Sequence, residues 1–406
     1  MTKPFTSQIT HAWQPENPVQ FPSNAWLMPD KETYFFCDLH ADAEAFLRSL
    51  KLSQLVTEES SLEEIQLTDK GLQGQIMIGG DCFDKGPSNL QLFHLLHQLK
   101  QQQVDLVLLA GNHDIRVYAG LLALNFMDDL RQSHFFVRMG RKVASFLAEV
   151  YETYCLNEPT PTLTESTILK ELMPQDDWFE RFPEYAADFM TPSQIDKEIR
   201  QIKHKNVDLL KACADFGLEL NQVYQAAHKA KQLFIDEGGE FNWFFRELVL
   251  MHRSGSYLFS HAGLDDHIAE QILEQGVEKL NMDFKHAMSK GLIFQMYYSA
   301  YGNVFRTKYR EKDFPLTEVG SRILKSQRIF ALVNGHRSHL NGQQLFVRQG
   351  LLNFECDTQL NANCRKQSQM NTPGEAVTIF SINGIVSALC SELSHPKQFH
   401  PEMISA

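Results

Sequence analysis

The chain has 406 residues and a formal net charge of -12, a length that suggests two domains or one domain carrying an insertion. Hydrophobic residues at 43% and charged residues at 22% are ordinary globular values and supply a sizeable core. The acidic balance argues against nonspecific binding to nucleic acid or anionic membrane, and no apolar run approaches the ~18 residues of a membrane span.

Residues 1–30 lack the apolar core of a signal peptide and read as an N-terminal arm. Seven cysteines, an odd count with no Cys-x-x-Cys pair, favour a reducing cytoplasm over a disulfide framework. Across residues 31–115, short apolar strands end in polar loops. TYFFC (33–37) runs into Asp38, Leu39 and His40, and QIMIGG (75–80) into Asp81. VDLVLLA (104–110) runs into Gly111, Asn112, His113 and Asp114. After the first strand, DAEAFLRSLKL (42–52) has helical apolar spacing behind an acidic start. Alternating strand, loop and helix is an α/β pattern, in which ligands gather at the carboxyl ends of the strands.

Residues 116–254 are expected to be almost wholly helical, an insertion or cap that covers or flanks the site. Within it Thr191 is a candidate N-cap, Pro192 takes the first helical position and Gln194 completes a capping box. NEPTPTLTES (157–166) reads as a loop. Strands return in residues 255–392: YLFS (257–260) runs into His261, and IFALVN (329–334) into Gly335 and His336. Two later strand pairs follow, the second turning through Asn383-Gly384, a strong hairpin signal. Residues 393–406 read as a tail. The expected architecture is an α/β (α+β) sandwich of two mixed β-sheets flanked by helices.

In GGDCFDKGPSN (79–89), Asp81 and Asp84 lie in a glycine-flanked run with Lys85 directly behind. Turn chemistry alone accounts for such a stretch. Its company changes the reading. Asp38, His40, Asp81, Asp84, Asn112, His113, His261 and His336 all fall at the C-terminal ends of strands. Carboxylate, imidazole and amide oxygen together suit manganese, iron or zinc. Two such ions ~3.5–4 Å apart share a ligand, and an aspartate can bridge them with its two oxygens.

The ordered motifs DLH, GDCFDKG, GNHD, HAG and GH resemble the calcineurin-like metallophosphoesterases, the middle two being similar to the bacterial serine/threonine phosphoprotein phosphatase branch. The resemblance spans about residues 33–115 and 255–360. It implies two divalent metal ions, with Asp38 and His40 on the first, Asp81 bridging, and Asn112, His261 and His336 on the second. It further implies hydrolysis of phosphomonoesters by a metal-bridging hydroxide, with His113 protonating the leaving oxygen and Asp84 orienting it. Lys85 would present charge to the phosphate. Arg306 is the choice for a second phosphate-binding cation, with Arg310 and an ordinary basic surface loop as alternatives.

Departures from the family pattern fall on the substrate side. Lys85 stands where arginine is usual, which replaces a bidentate fork with a point charge. Ala41 replaces a glycine, Asp114 a glutamate and Asn89 a serine. CDTQ (356–359) keeps the Asp-Thr of an Asp-Thr-Gly but not its glycine, and His339 falls outside the ligand spacing of other branches. A phosphorylated substrate, either a phosphoprotein or a small phosphoester, is expected. Hydrolysis of nucleotides or dinucleoside polyphosphates is one alternative. A partner-binding protein with a residual metal site is another.

Overall fold

Strands from both ends of the chain meet in one sheet. The computed structural model describes residues 11–15, 19, 21 and 25–404; residues 1–10, on which much of the signal-peptide reading rests, lie outside the described residues. The first sheet begins with β1 (His11–Ala12), β2 (Thr33–Phe36), β3 (Gln75–Ile78) and β4 (Asp105–Leu108). The second holds β5 (Met251–Ser254), β6 (Tyr257–Ser260), β7 (Ala331–Asn334), β8 (Gln344–Arg348) and β9 (Leu351–Glu355). The chain then returns to the first sheet with β10 (Ala376–Phe380), β11 (Val386–Cys390) and β12 (Lys397–Phe399). The strand orders are β1-β12-β11-β10-β2-β3-β4 and β5-β6-β7-β9-β8. Parallel pairing joins β2 to β3 and β3 to β4 in one sheet, and β6 to β7 in the other. This is the expected architecture of two mixed sheets with flanking helices.

The central strands are buried on both faces, so they read as continuous apolar runs. Alternate residues serve two cores. Tyr34, Phe36, Ile76 and Ile78 face the helices. Phe35 and Met77 face the second sheet together with Tyr257, Phe259, Phe354 and Phe380. There Phe259 lies 5.6 Å from Phe35 and 4.9 Å from Phe380 between ring centroids.

Helix starts follow local chemistry. Asp42 Oδ1 accepts from Ala45 N at 2.9 Å ahead of the helix Ala43–Leu52. Thr191 and Gln194 form a reciprocal capping box on the helix Pro192–Asp215. Helices fill the chain from Asn112–Ala123 to Asn242–Glu247, and they pack into the same core as the strands. Phe83, between the two loop aspartates, has its ring 4.5 Å from Phe93, 5.4 Å from Phe146 and 5.4 Å from Phe234. A second tie is polar. Glu149 accepts from Asn89 N at 2.8 Å, from Leu90 N at 3.1 Å and from the Ser88 hydroxyl. It thereby satisfies the first amides of the helix Asn89–Gln101, which otherwise have no intrahelical partner.

Two elements differ from the sequence reading. Strand β5 starts at Met251, inside the stretch expected as helix, because it pairs antiparallel with β6 at the edge of the second sheet, where half-buried His252 and Arg253 are tolerated. Residues 397–399, read as tail, form β12, which pairs with β11 and with the N-terminal β1. Trp13 and Phe21 of the expected arm are buried against the second core. Among the described residues no helix is long and apolar enough to cross a membrane.

Candidate metal centre

The loops after β2, β3, β4, β6 and β7 bring Asp38, His40, Asp81, Asn112, His261 and His336 together. Their backbone is unusual. Asp38, His40, Ala41, Asp81, Asp84, Lys85 and His336 all have positive φ, between 43° and 71°, a region that costs L-residues energy and collects at functional sites. Close approach dictates two glycines. A Cβ on Gly111 would lie 2.1 Å from Asp81 N, and one on Gly335 would lie 2.0 Å from Asp38 Oδ2.

Hydrogen bonds set which imidazole nitrogen is free. A carbonyl can only accept, so His261 Nδ1 donates to Gly79 O at 2.7 Å, and His40 Nδ1 donates to Phe83 O at 3.1 Å. Each Nε2 therefore turns a lone pair inward. His261 Nε2 lies 3.4 Å from Asp81 Oδ1, 3.3 Å from Asn112 Oδ1 and 3.2 Å from His336 Nδ1. His40 Nε2 lies 3.7 Å from Asp81 Oδ2 and 3.9 Å from Asp38 Oδ1. The two oxygens of Asp81 thus face two separate groups of electron-pair donors. Lone pairs crowded this closely repel unless a cation lies between them, and the mixed oxygen and nitrogen set suits a borderline divalent metal. The residues present fit such ions.

Electrostatics agree with ligand protonation states. Burial, and then the neighbouring Lys85 charge, holds His40 well below the usual imidazole range. Burial and His261 bring His336 down to about 2. Both are neutral, as ligation requires. Burial opposes ionisation of Asp81, yet its pKa is held well below the usual value, and the Lys85 ammonium is the lasting positive charge among the causes once the imidazoles are neutral. Burial, with Asp357 and Asp81 nearby, pushes Asp38 well up; a concentrated buried acid cluster of this kind calls for a counter-charge.

His113 Nδ1 sits 2.7 Å from Asp84 Oδ2, and its backbone N donates to Asp81 Oδ1 at 2.8 Å. Its Nε2 is 3.9 Å from Asp81 Oδ2, and it is His113, rather than Asp38, whose ligand atom lies within 4.8 Å of those of both His40 and Asp81. Asp84 N is held by Asn89 Oδ1 at 3.1 Å. His339 pairs with Glu355 Oε2 at 2.8 Å, away from the ligand set.

The cations are placed differently from expectation. Lys85 Nζ lies 2.6 Å from His40 Nε2, on the nitrogen that a cation would use, so its ammonium and a metal ion exclude one another there. Arg306 stacks on Tyr297 with Cζ 4.8 Å from the ring centroid. The Arg310 backbone N is tied to Asp313. Lys308, which sequence reasoning passed over within the same RTKYR stretch, feels both Lys85 and Asp38. Two acids were also passed over as site residues. Asp114 accepts from Asp81 N and Cys82 N, each at 2.8 Å, and fixes the bridging loop; its place beside Asn112 and His113 was the available signal. Asp357 is buried beside Asp38, and the Asp-Thr of CDTQ marked it.

No family model matches the chain, and no curated protein matches it. Among solved structures it is similar to a cold-active protein tyrosine phosphatase, with 13% identity, a TM-score of 0.49, and coverage of 95% of this chain and 88% of that one. A cold-active protein-tyrosine phosphatase of a psychrophilic Shewanella species gives 13% identity, a TM-score of 0.46 and coverage of 97% and 91%. A protein serine/threonine phosphatase from Saccharomyces cerevisiae gives 12% identity, a TM-score of 0.38 and coverage of 86% and 73%.

Proposed function

We propose that the protein is a two-metal-dependent phosphomonoesterase acting on a phosphoprotein or a small phosphoester. One observation carries the reading: the two carboxylate oxygens of Asp81 face separate donor groups, His261 Nε2 at 3.4 Å on one side and His40 Nε2 at 3.7 Å on the other. Asp38, His40 and Asp81 would hold one ion, and Asp81, Asn112, His261 and His336 the other. Bound divalent ions would supply the charge that neutralises a phosphate and makes water a nucleophile near neutral pH.

The chain's own residues do the rest. His113 stands at the edge of this centre with Nδ1 bonded to Asp84, which fixes the ring; burial lowers its pKa overall, and Asp81 and Asp84 offset part of that effect. Nε2 is then the atom that gives a proton to the leaving oxygen. Asp84 is a positioning residue, itself held through its amide by Asn89. With an ion held by His40, Lys85 would be free to present its charge to the phosphate, and the nearby charge of Lys308 would add to it.

The test is turnover of p-nitrophenyl phosphate by protein stripped with chelator and reloaded with Mn²⁺, beside metal analysis of Asp81→Asn. Activity should return with the metal, and Asp81→Asn should lose both activity and at least one ion per chain. Metal-independent turnover, or two ions retained in an active Asp81→Asn, refutes the reading. Full metal binding without turnover of any phosphoester would instead favour a partner-binding protein.

A further inference from the structure

A second group of charges begins one residue beyond the centre. Arg116 Nη1 lies 3.6 Å from Asp84 Oδ2, the same oxygen that His113 Nδ1 meets at 2.7 Å. Behind it stand Arg138, just ahead of the turn Gly140–Val143, Lys142 within that turn, and Lys205 from the helix Pro192–Asp215. Lys205 donates to the Arg138 carbonyl. Tyr297 is clamped between two guanidiniums, Arg138 at 4.6 Å and Arg306 at 4.8 Å from its ring centroid. Lys142 lies within electrostatic reach of Arg116 and Lys85 as well as of Asp84 and Asp81.

Few carboxylates are available to these groups. Glu198 pairs with Arg138, and Asp84 is already shared with His113. Arg116, Arg138 and Lys205 are half-buried and Lys142 is exposed. In a chain of net charge -12, such a concentration of cations, with only Glu198, Asp84 and the Tyr297 phenol to match it, is costly unless a further anion completes it. Arg138 Nε and the Tyr298 hydroxyl are buried with no hydrogen-bond partner among the described residues. The local field supports the same view. Burial resists ionisation of the Tyr297 phenol, yet Arg138, Arg306 and Arg116 bring it down to about 6. Burial, then Arg138 and Arg116, lower Lys205 to about 7.

We infer that Arg116, Arg138, Lys142 and Lys205 form a second anion subsite beside the metal centre, and that the substrate is a phosphoester carrying a second phosphate group. The inference rests on the phosphomonoesterase reading for which phosphate is cleaved, but not for the binding of the other one. One phosphate lies at the metal centre, and its partner reaches past Asp84 to the helical region, which thereby selects doubly anionic substrates. A nucleoside polyphosphate or a bisphosphorylated small molecule has this chemistry.

Two measurements test it. The first compares kcat/KM for a propanediol bisphosphate and for propyl phosphate in the Mn²⁺-loaded protein, in wild type and in Lys142→Met/Lys205→Met. The bisphosphate should be preferred by at least ~10-fold, about one charge-assisted contact, and the double variant should bring the ratio to within ~2-fold. The second is calorimetric titration of both esters into metal-free wild type and variant. The bisphosphate should bind more tightly, and the difference should vanish with the lysines. Lys142 is exposed, so Lys142→Met alone serves where the double variant does not fold; it should lower both the kinetic and the binding preference. Equal kcat/KM for the two esters with no difference in binding overturns the subsite while leaving the phosphatase reading in place. If neither ester is turned over, yet metal-free protein binds the bisphosphate through these lysines, the phosphatase reading fails and the subsite stands.

Discussion

Replacing Glu149 by alanine removes a carboxylate that lies far from the ligands in sequence but fixes the loop that holds them. In the folded protein it accepts from Asn89 N at 2.8 Å, Leu90 N at 3.1 Å, the Ser88 hydroxyl and, more weakly, Asn89 Nδ2 at 3.3 Å. Hydrogen bonds to a charged group contribute ~1.5–3 kcal/mol each, and a carboxylate at a helix N-terminus adds ~0.3–1 kcal/mol. Ser88 is only half-buried, so water recovers part of the loss. The expected cost is ~3 kcal/mol for Glu149→Ala and ~1–2 kcal/mol for Glu149→Gln, which keeps one amide oxygen. Urea unfolding followed by tryptophan fluorescence measures this through the shift in midpoint. Hydrogen exchange over residues 84–92 should accelerate. Turnover should fall as well, since Asn89 Oδ1 holds Asp84 N at 3.1 Å and Asp84 orients His113. A loss under ~0.5 kcal/mol at unchanged m-value, with exchange at wild-type rates, would show that water replaces Glu149 and would refute the argument.

His113→Asn should keep its metals and lose ~10²–10⁴-fold in rate on alkyl phosphates, with aryl phosphates of good leaving groups partly spared; equal losses on both kinds would remove the acid role. Lys85→Ala should bind Mn²⁺ more tightly, because the ammonium 2.6 Å from His40 Nε2 no longer competes, yet should lose ~30–150-fold in kcat/KM. Unchanged affinity in calorimetry with kinetics within ~3-fold would leave Lys85 as a turn residue. Lys205 gives a pH signature. Its folded pKa of about 7 lies below the ordinary 10.5, so between these values the unfolded chain binds a proton that the native one lacks, and stability rises with pH across that window. Lys205→Met should therefore stabilise the metal-free protein most below pH ~7, with the gain shrinking towards pH ~10; thermal melts showing a gain constant with pH would contradict the shift.

The strands that carry the ligands were legible because their signals are local. TYFF, QIMI and YLFS are apolar runs that stop abruptly at Asp38, Gly79 and His261, and parallel pairing of neighbours carries their C-terminal loops to one place. The strands β1, β5 and β12 were not legible. They are short, they carry polar residues, and they owe their conformation to a neighbour rather than to their own pattern. The cations show a similar divide. Arg116 follows Asn112 by four positions, one helical turn, yet Arg138, Lys142 and Lys205 reach the same region only through helix packing that no spacing in the chain reports. Lys85 was legible as a site residue, but its contact with His40 depends on two successive positive-φ residues, Asp84 and Lys85.

The left-handed backbone around the centre has a consequence for which sequences the site can tolerate. Six of its seven non-glycine positive-φ positions carry polar or charged side chains, but Ala41, at φ 54° and fully buried, carries only a methyl. Its N–H donates to Cys82 O at 2.7 Å, and its carbonyl accepts from Ser88 N at 2.9 Å, so its conformation clips two site loops together. Glycine can adopt that conformation freely, alanine at a cost of ~1–2 kcal/mol, and a β-branched residue hardly at all. Selection at this position therefore acts on shape alone. In a mutational scan Ala41→Val would look as damaging as the loss of a ligand, while Ala41→Gly would pass, and the pair separates intolerance of geometry from intolerance of chemistry within a single turn of chain.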